Sequence, residues 1–143
     1  MKLKIKRLDK DAKLPQYAHK GDAGLDISSL EKATIKPGKS KLIRTGLLIQ
    51  LPKGTEAQIR PRSGLALNHQ VTVLNSPGTI DNGHRGELCV ILINHGSKSY
   101  TVLPGARIAQ LVVSRVYTVE VSETGKLDFS DRGSKGFGST GIR

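Results

Sequence analysis

Three side chains able to move a proton or hold an anion crowd into one glycine-rich stretch, residues 78–87, which reads Gly-Thr-Ile-Asp-Asn-Gly-His-Arg-Gly-Glu. Asp81 offers a carboxylate that can take a proton from water, His84 an imidazole and Arg85 a guanidinium. Apolar alternation runs into the stretch (Val71, Val73) and a β-branched run leaves it (Val90, Ile91, Ile93). Asn82-Gly83 lies between them, a strong hairpin signal because a tight two-residue turn needs positive φ at both central positions. The spacing therefore predicts a hairpin whose tip carries all three groups. Alone, such a tip is no more than a polar turn.

Other segments give it company. Arg62-Ser63-Gly64 offers a guanidinium, a hydroxyl and backbone N–H groups at the start of a short helical pattern, where an anion is favoured. Residues 105–110 offer Arg107 and the Gln110 amide, and the tail offers Arg132, Ser139 and Thr140. Phe137 stands among glycines where it can build no core, which suits a lid whose ring stacks on a base while N–H groups and hydroxyls meet phosphates. His19, His69, His84 and His95 have no metal-ligand spacing, so no direct protein ligands to a transition metal are expected. Asp22, Asp26 and Asp81 suit instead a hydrated Mg²⁺ carried on phosphates. There is no Walker A sequence, dinucleotide fingerprint or nucleophile elbow.

The elements that must position these groups are short strands. At 143 residues the chain is one domain by length. Aromatics are 3 % with no Trp, so the core must be aliphatic, and its Val and Ile favour strands. Sixteen glycines and six prolines mark turns every few residues, the rhythm of a sandwich or barrel. Strands are expected over residues 2–8 (an edge, its lysines discouraging further pairing), 34–36, 41–51, 56–60, 71–74, 88–93, 100–103, 107–113 and 115–121. Residues 88–93 read as buried on both faces. One short helix fits residues 61–68, with Ser63 near its N-cap. The apolar supply fails from Ser122, dividing the chain into a β core, 1–121, and a flexible C-terminal arm, 122–143.

The net charge of +11 suggests a polyanionic partner. It is concentrated at the N-terminus, where residues 1–20 hold seven basic against two acidic side chains. No basic run is interleaved with aromatics and no recognition-helix pattern appears, so a nucleotide accounts for the charge better than nucleic acid does. No window approaches the roughly 18 apolar residues of a membrane span, and the N-terminus lacks the apolar core of a signal peptide. The single cysteine, Cys89, excludes an internal disulfide and is expected as a small buried hydrophobe. A reducing, cytoplasmic setting is the expectation.

The order Ala23-Gly24-Leu25-Asp26-Ile27, Arg62-Ser63-Gly64-Leu65-Ala66, Gly78-Thr79-Ile80-Asp81 with Arg85-Gly86, residues 105–111, and Arg132 with residues 136–141 resembles the five motifs of the trimeric dUTPase family. They fall in the family's order and span nearly the whole chain. The resemblance implies an all-β, jelly-roll-like (β-clip) fold and a homotrimer whose active sites are shared between subunits. It implies hydrolysis of dUTP to dUMP and pyrophosphate with Mg²⁺ bound mainly through the triphosphate. By position, Asp81 would activate the water that attacks the α-phosphorus. Asn75, with the backbone at Gly78 and Ile80, would read uracil, and Phe137 would close over it. Arg62, Ser63, Gly64, Gln110, Arg132, Ser139 and Thr140 would hold phosphates, and Asp26 would act through structure or through metal-bound water. One position departs: His84 stands where the family has a tyrosine beneath the deoxyribose. Imidazole is flat enough to stack but smaller, can hydrogen-bond to a 2′-OH, and titrates near neutrality.

Two rivals make distinct demands. A dCTP deaminase, or its bifunctional relative, needs a catalytic glutamate on the strand after residues 78–87, where this chain has Leu-Cys-Val-Ile-Leu-Ile. A non-enzymatic, basic nucleic-acid-binding β domain explains the charge but not a carboxylate, Asp81, at the centre of the candidate site.

Overall fold

The structure, a computed structural model, describes residues 1–136. Ten strands and one short helix follow in the order β1 Lys4–Arg7, β2 Leu25–Ser28, β3 Ala33–Ile35, β4 Ser40–Gln50, β5 Thr55–Arg60, α1 Ser63–His69, β6 Val71–Val73, β7 Gly78–Ile80, β8 Glu87–Asn94, β9 Tyr100–Val102 and β10 Arg107–Arg115. Two four-stranded antiparallel sheets, β1-β4-β8-β6 and β2-β10-β5-β7, enclose the core, and β3 and β9 form a small third sheet. The fold is the all-β, jelly-roll-like architecture anticipated above.

Alternation dictates which face each strand buries. Leu88, Val90 and Leu92 of β8 point inward with Ile43, Leu47 and Ile49 of β4, and meet Ile27, Ala57, Ile59, Ile108 and Leu111 of the opposite sheet. Each fully buried Ile or Leu is worth about 1.5–3 kcal/mol of transfer free energy, so this aliphatic layer replaces the missing aromatics. Asn94, fully buried at the end of β8, donates to the carbonyls of Ile35 (2.9 Å) and Lys98 (2.8 Å) and accepts from Gly96 N–H (2.8 Å). It thereby fastens β3 to the main sheet without leaving a buried polar atom unpaired.

β4 bends at Gly46, where its register with β8 shifts. Gly46 has φ +70°, and a Cβ there would lie 2.9 Å from Ala12 and 3.0 Å from Leu30. No other residue fits both demands. The bend lets the N-terminal loop close over the end of the core.

Three expectations need correction. Residues 78–87 are not a hairpin: β7 pairs with β5 in one sheet and β8 with β4 and β6 in the other, so the stretch crosses between layers. Neither Asn82 nor Gly83 takes a positive φ. Next, β8 buries only alternate residues. Cys89, Ile91 and Ile93 are half-exposed on the outer face, beside Leu42 (55 % exposed) and Leu74 (49 %). Finally, the last strand ends at Arg115, and residues 116–136 form no strand and are exposed throughout; Tyr117, for instance, is 91 % exposed. Among the described residues no helix is long and apolar enough to cross a membrane.

Candidate active site

Asp81 leaves the end of β7 and enters a turn closed by His84 N–H donating to the Asp81 carbonyl at 3.0 Å. The turn is held from two sides. The Asn82 amide donates to the carbonyl of Pro52 at 2.6 Å and lies near those of Thr55 and Leu51. The Arg85 guanidinium donates to the carbonyls of Asn82 (2.8 Å) and His84 (2.7 Å). Arg85 is thus spent on stiffening the turn. The Asp81 side chain is exposed and has no hydrogen-bond partner among the described residues, leaving its carboxylate open to water. The His84 ring lies against Gly86, where an added Cβ would come within 2.9 Å of it.

Asp81 and His84 line a cavity of about 240 Å³ with Thr79, Ile80, Glu87 and Cys89. It adjoins a smaller one of about 120 Å³ lined by Asn75, Gly78, Ile80, Cys89 and Ile91, so the two share a wall. Cys89, expected in the core, instead lies between them. Burial, then the neighbouring Glu87 carboxylate, push its thiol pKa up, which keeps it neutral and unreactive at neutral pH. Glu87 is committed elsewhere. Its Oε1 accepts Gly46 N–H at 2.9 Å, and both oxygens accept Arg44 Nε at 3.1–3.2 Å. That hydrogen bond, and then the charge of Glu87, raise the Arg44 pKa. With Glu87 tied down and no other carboxylate on β8, nothing supplies the deaminase's glutamate.

A second group gathers at the other end of the β5 sheet. Arg62, Ser63 and Gly64 at the start of α1 line a cavity of about 410 Å³ with Gly24, Asp26, Arg107 and Gln110. Arg62 occupies the N-cap position without a side-chain cap, which leaves the Ser63 hydroxyl uncommitted. Asp26 is the hub: its Oδ1 lies 3.3 Å from Arg62 Nε and its Oδ2 3.0 Å from Arg107 Nη1. Arg62 also donates to the Arg107 carbonyl at 3.2 Å, and Gln110 donates to the Pro61 carbonyl at 3.0 Å. The Gln110 side chain lies over Gly24 so closely that a Cβ there would collide with it. Asp22 also lines this cavity, and the two guanidiniums fixed about Asp26 present N–H donors that suit phosphate oxygens.

The two groups share no lining residue. Ile80 pairs with Ala57, and Arg62 lies five residues further along the chain, about 16 Å at strand rise. Arg132 is in neither group; its Nε donates to the Lys135 carbonyl at 3.0 Å. Phe137, Ser139 and Thr140 lie outside the described residues. Sequence reasoning left Cys89 off the site, and it offered Arg107 as an anion-binding charge without its partner Asp26. That partnership becomes visible only when β10 pairs with β2 and sets Arg107 opposite Ser28, beside Asp26. Among the described residues no three His, Cys, Asp or Glu side chains cluster as a metal cage.

Comparison with known proteins shows the family. The dUTPase family model matches residues 10–141. The chain is 61 % identical over 141 residues to the deoxyuridine 5′-triphosphate nucleotidohydrolase of Trichodesmium erythraeum, covering 99 % of each. It is 57 % identical over 140 residues to that of Clostridioides difficile, covering 98 % of each. The dUTPase of Staphylococcus bacteriophage 80alpha, solved with dUpNHpp, superposes with a TM-score of 0.90 at 30 % identity over 99 % of both chains.

Proposed function

The chain belongs to the dUTPase family and hydrolyses dUTP to dUMP and pyrophosphate, and from that premise we propose how its residues divide the work. Asp81 accepts a proton from a water molecule as that water's oxygen bonds to the α-phosphorus. The bond from the α-phosphorus to its bridging oxygen breaks, and pyrophosphate leaves with the electron pair. Catalysis of this kind is mostly positioning and charge compensation. Asn75 and the backbone at Gly78 and Ile80 read the uracil edge, and the narrow cavity there leaves little room for a 5-methyl group. Arg62, Ser63, Gly64 and Gln110 hold the β- and γ-phosphates, joined by Arg132, Ser139, Thr140 and the closing Phe137 of the arm.

Mg²⁺ fits this donor set as a hydrated ion brought by the triphosphate. The Asp26 oxygens already face two guanidiniums, and their remaining lone pairs suit metal-bound water better than direct ligation. When bound, the ion supplies charge neutralisation on the phosphates. Asp26 holds Arg62 and Arg107 in place.

One observation carries the assembly. An α-phosphorus beside Asp81 has its β- and γ-phosphates only a few ångström away, yet the phosphate-binding group of the same chain lies far along β5. A complete site therefore takes Asp81 from one copy and Arg62 from another, as a homotrimer with sites between subunits provides. The outer apolar face at Leu42, Leu74, Ile91 and Ile93 gives the copies surface to bury. Light scattering at micromolar concentration is expected to give a trimer; a monomer would overturn shared sites. Mixing Asp81→Asn chains with Arg62→Gln chains after unfolding and refolding should restore activity to about a quarter of the sites, as random assortment requires. No recovery would place both groups in one subunit's site. The lone cysteine and the nucleotide substrate fit a cytoplasmic enzyme.

His84 shares the Asp81 cavity and lies over Gly86, so its ring sets the floor beneath the sugar. A tyrosine there covers more surface beside C2′. Filling space with apolar surface rejects an added hydroxyl by only about 10²-fold. The ratio of kcat/KM for dUTP over UTP should therefore rise several-fold in His84→Tyr. Equal ratios would make His84 a bystander.

A further inference from the structure

The largest cavity, about 640 Å³, lies on the far side of Asp26 and Arg107 from the phosphate-binding group. The end of β1 and the loop after it form one wall and contribute Arg7, Lys10 and Lys13; Arg107 and the turn at Gly105 form the other. Lys13 Nζ donates to the Gly105 carbonyl at 3.2 Å, so the two walls are tied. Four cations face the space. Against them stand Asp11 and Asp26, and Asp26 is already shared between Arg62 and Arg107. The cavity keeps a net positive field, which its concave walls focus. Ser28, only 8 % exposed, also lines the space. Four cations and a hydroxyl lining one cavity suit a ligand made of oxygen acceptors.

We propose that this cavity is a second polyphosphate-anion site, and that it receives pyrophosphate as that product leaves the phosphate-binding group through the shared wall of Asp26 and Arg107. The inference rests on reading the Arg62–Gln110 cavity as the phosphate subsite. Geometry favours the product over the substrate. Its donors are the four cations, the Ser28 hydroxyl, the Gln16 amide and the Tyr17 phenol, a set that polyphosphate oxygens alone can engage. Arg107 lines both spaces, so a departing anion can exchange one partner at a time and need not shed all of them into water.

The probe is inorganic pyrophosphate with the full chain in Mg²⁺ buffer. Titration calorimetry should find two classes of pyrophosphate site per chain. Steady-state inhibition should be mixed against dUTP, because the outer site fills while substrate is bound. The exposed double variant Lys10→Gln/Lys13→Gln should weaken the second class at least tenfold, two charge-assisted contacts being lost. Its inhibition should become purely competitive, with initial-rate kcat/KM for dUTP unchanged within about twofold. Ser28→Ala, which alters no charge, should weaken the same class several-fold. A single class in the unaltered protein, or two classes insensitive to both variants, would overturn the second site. Arg62→Gln isolates the premise. It should weaken the competitive component alone; if that component is untouched, the phosphate subsite has been misplaced and the transfer through Arg107 falls with it.

Discussion

Asp81→Asn lowers kcat by on the order of 10²–10⁴ while dUTP still binds, the loss expected when a positioned general base is removed. The substitution is clean because the fold does not use the carboxylate. The turn is closed by the Asp81 backbone carbonyl and held by the Asn82 amide and the Arg85 guanidinium, none of which the change touches. Asparagine keeps the shape and can still orient water, but it cannot accept the proton. Pyrophosphate release under single-turnover conditions, with KM measured alongside, separates lost chemistry from lost binding. Turnover within a few-fold of the unaltered enzyme would remove Asp81 from the role of base.

Truncation after Asp131 leaves a folded trimer whose kcat/KM has fallen at least about 10²-fold, since each charge-assisted contact to phosphate is worth about 1.5–3 kcal/mol and the arm is assigned several. The fold should not notice. The last strand ends at Arg115, the described residues beyond it are exposed, and the arm's hydrogen bonds from Thr124 to Lys126, Gly133 to Ser130 and Arg132 to Lys135 are all local. Circular dichroism and light scattering of the truncated chain, beside its kinetics, decide the matter. Failure to assemble would make the arm a structural strap.

Much of this architecture was legible in the chain. The strands at Lys4–Arg7, Thr55–Arg60, Val71–Val73 and Tyr100–Val102 follow from alternation bounded by Pro and Gly turns. The short helix after Pro61 follows from its local pattern, and the ordered motifs mark Asp26, Arg62 and Asp81. What failed were partnerships. Asn82-Gly83 carries a local preference for a hairpin, but the side-chain pattern of β7 fits the β5 sheet and that of β8 fits the β4 sheet. Burial of a whole strand face outweighs one turn's preference. The distant carbonyls that hold the Asn82 amide lie around Pro52, some thirty positions back, invisible to any short window. Residues 116–121 keep a period of two at Tyr117, Val119 and Val121, yet among the described residues no strand pairs with them. Arg107 acquires its meaning only from the pairing of β10 with β2.

If each site takes Asp81 from one copy and Arg62 from another, as proposed above, the separation of the two residue groups on one chain has a genetic consequence. In a cell that makes two versions of this protein, a lesion at Asp81 alone or at Arg62 alone spoils about half of the mixed sites, in proportion to its dose. A chain damaged on both surfaces spoils both kinds of junction it enters, leaving only about a quarter intact under random assortment. The first kind of allele behaves as nearly recessive and two such alleles complement each other. The second poisons its wild-type partners and is dominant, although neither lesion disturbs the fold of the chain that carries it.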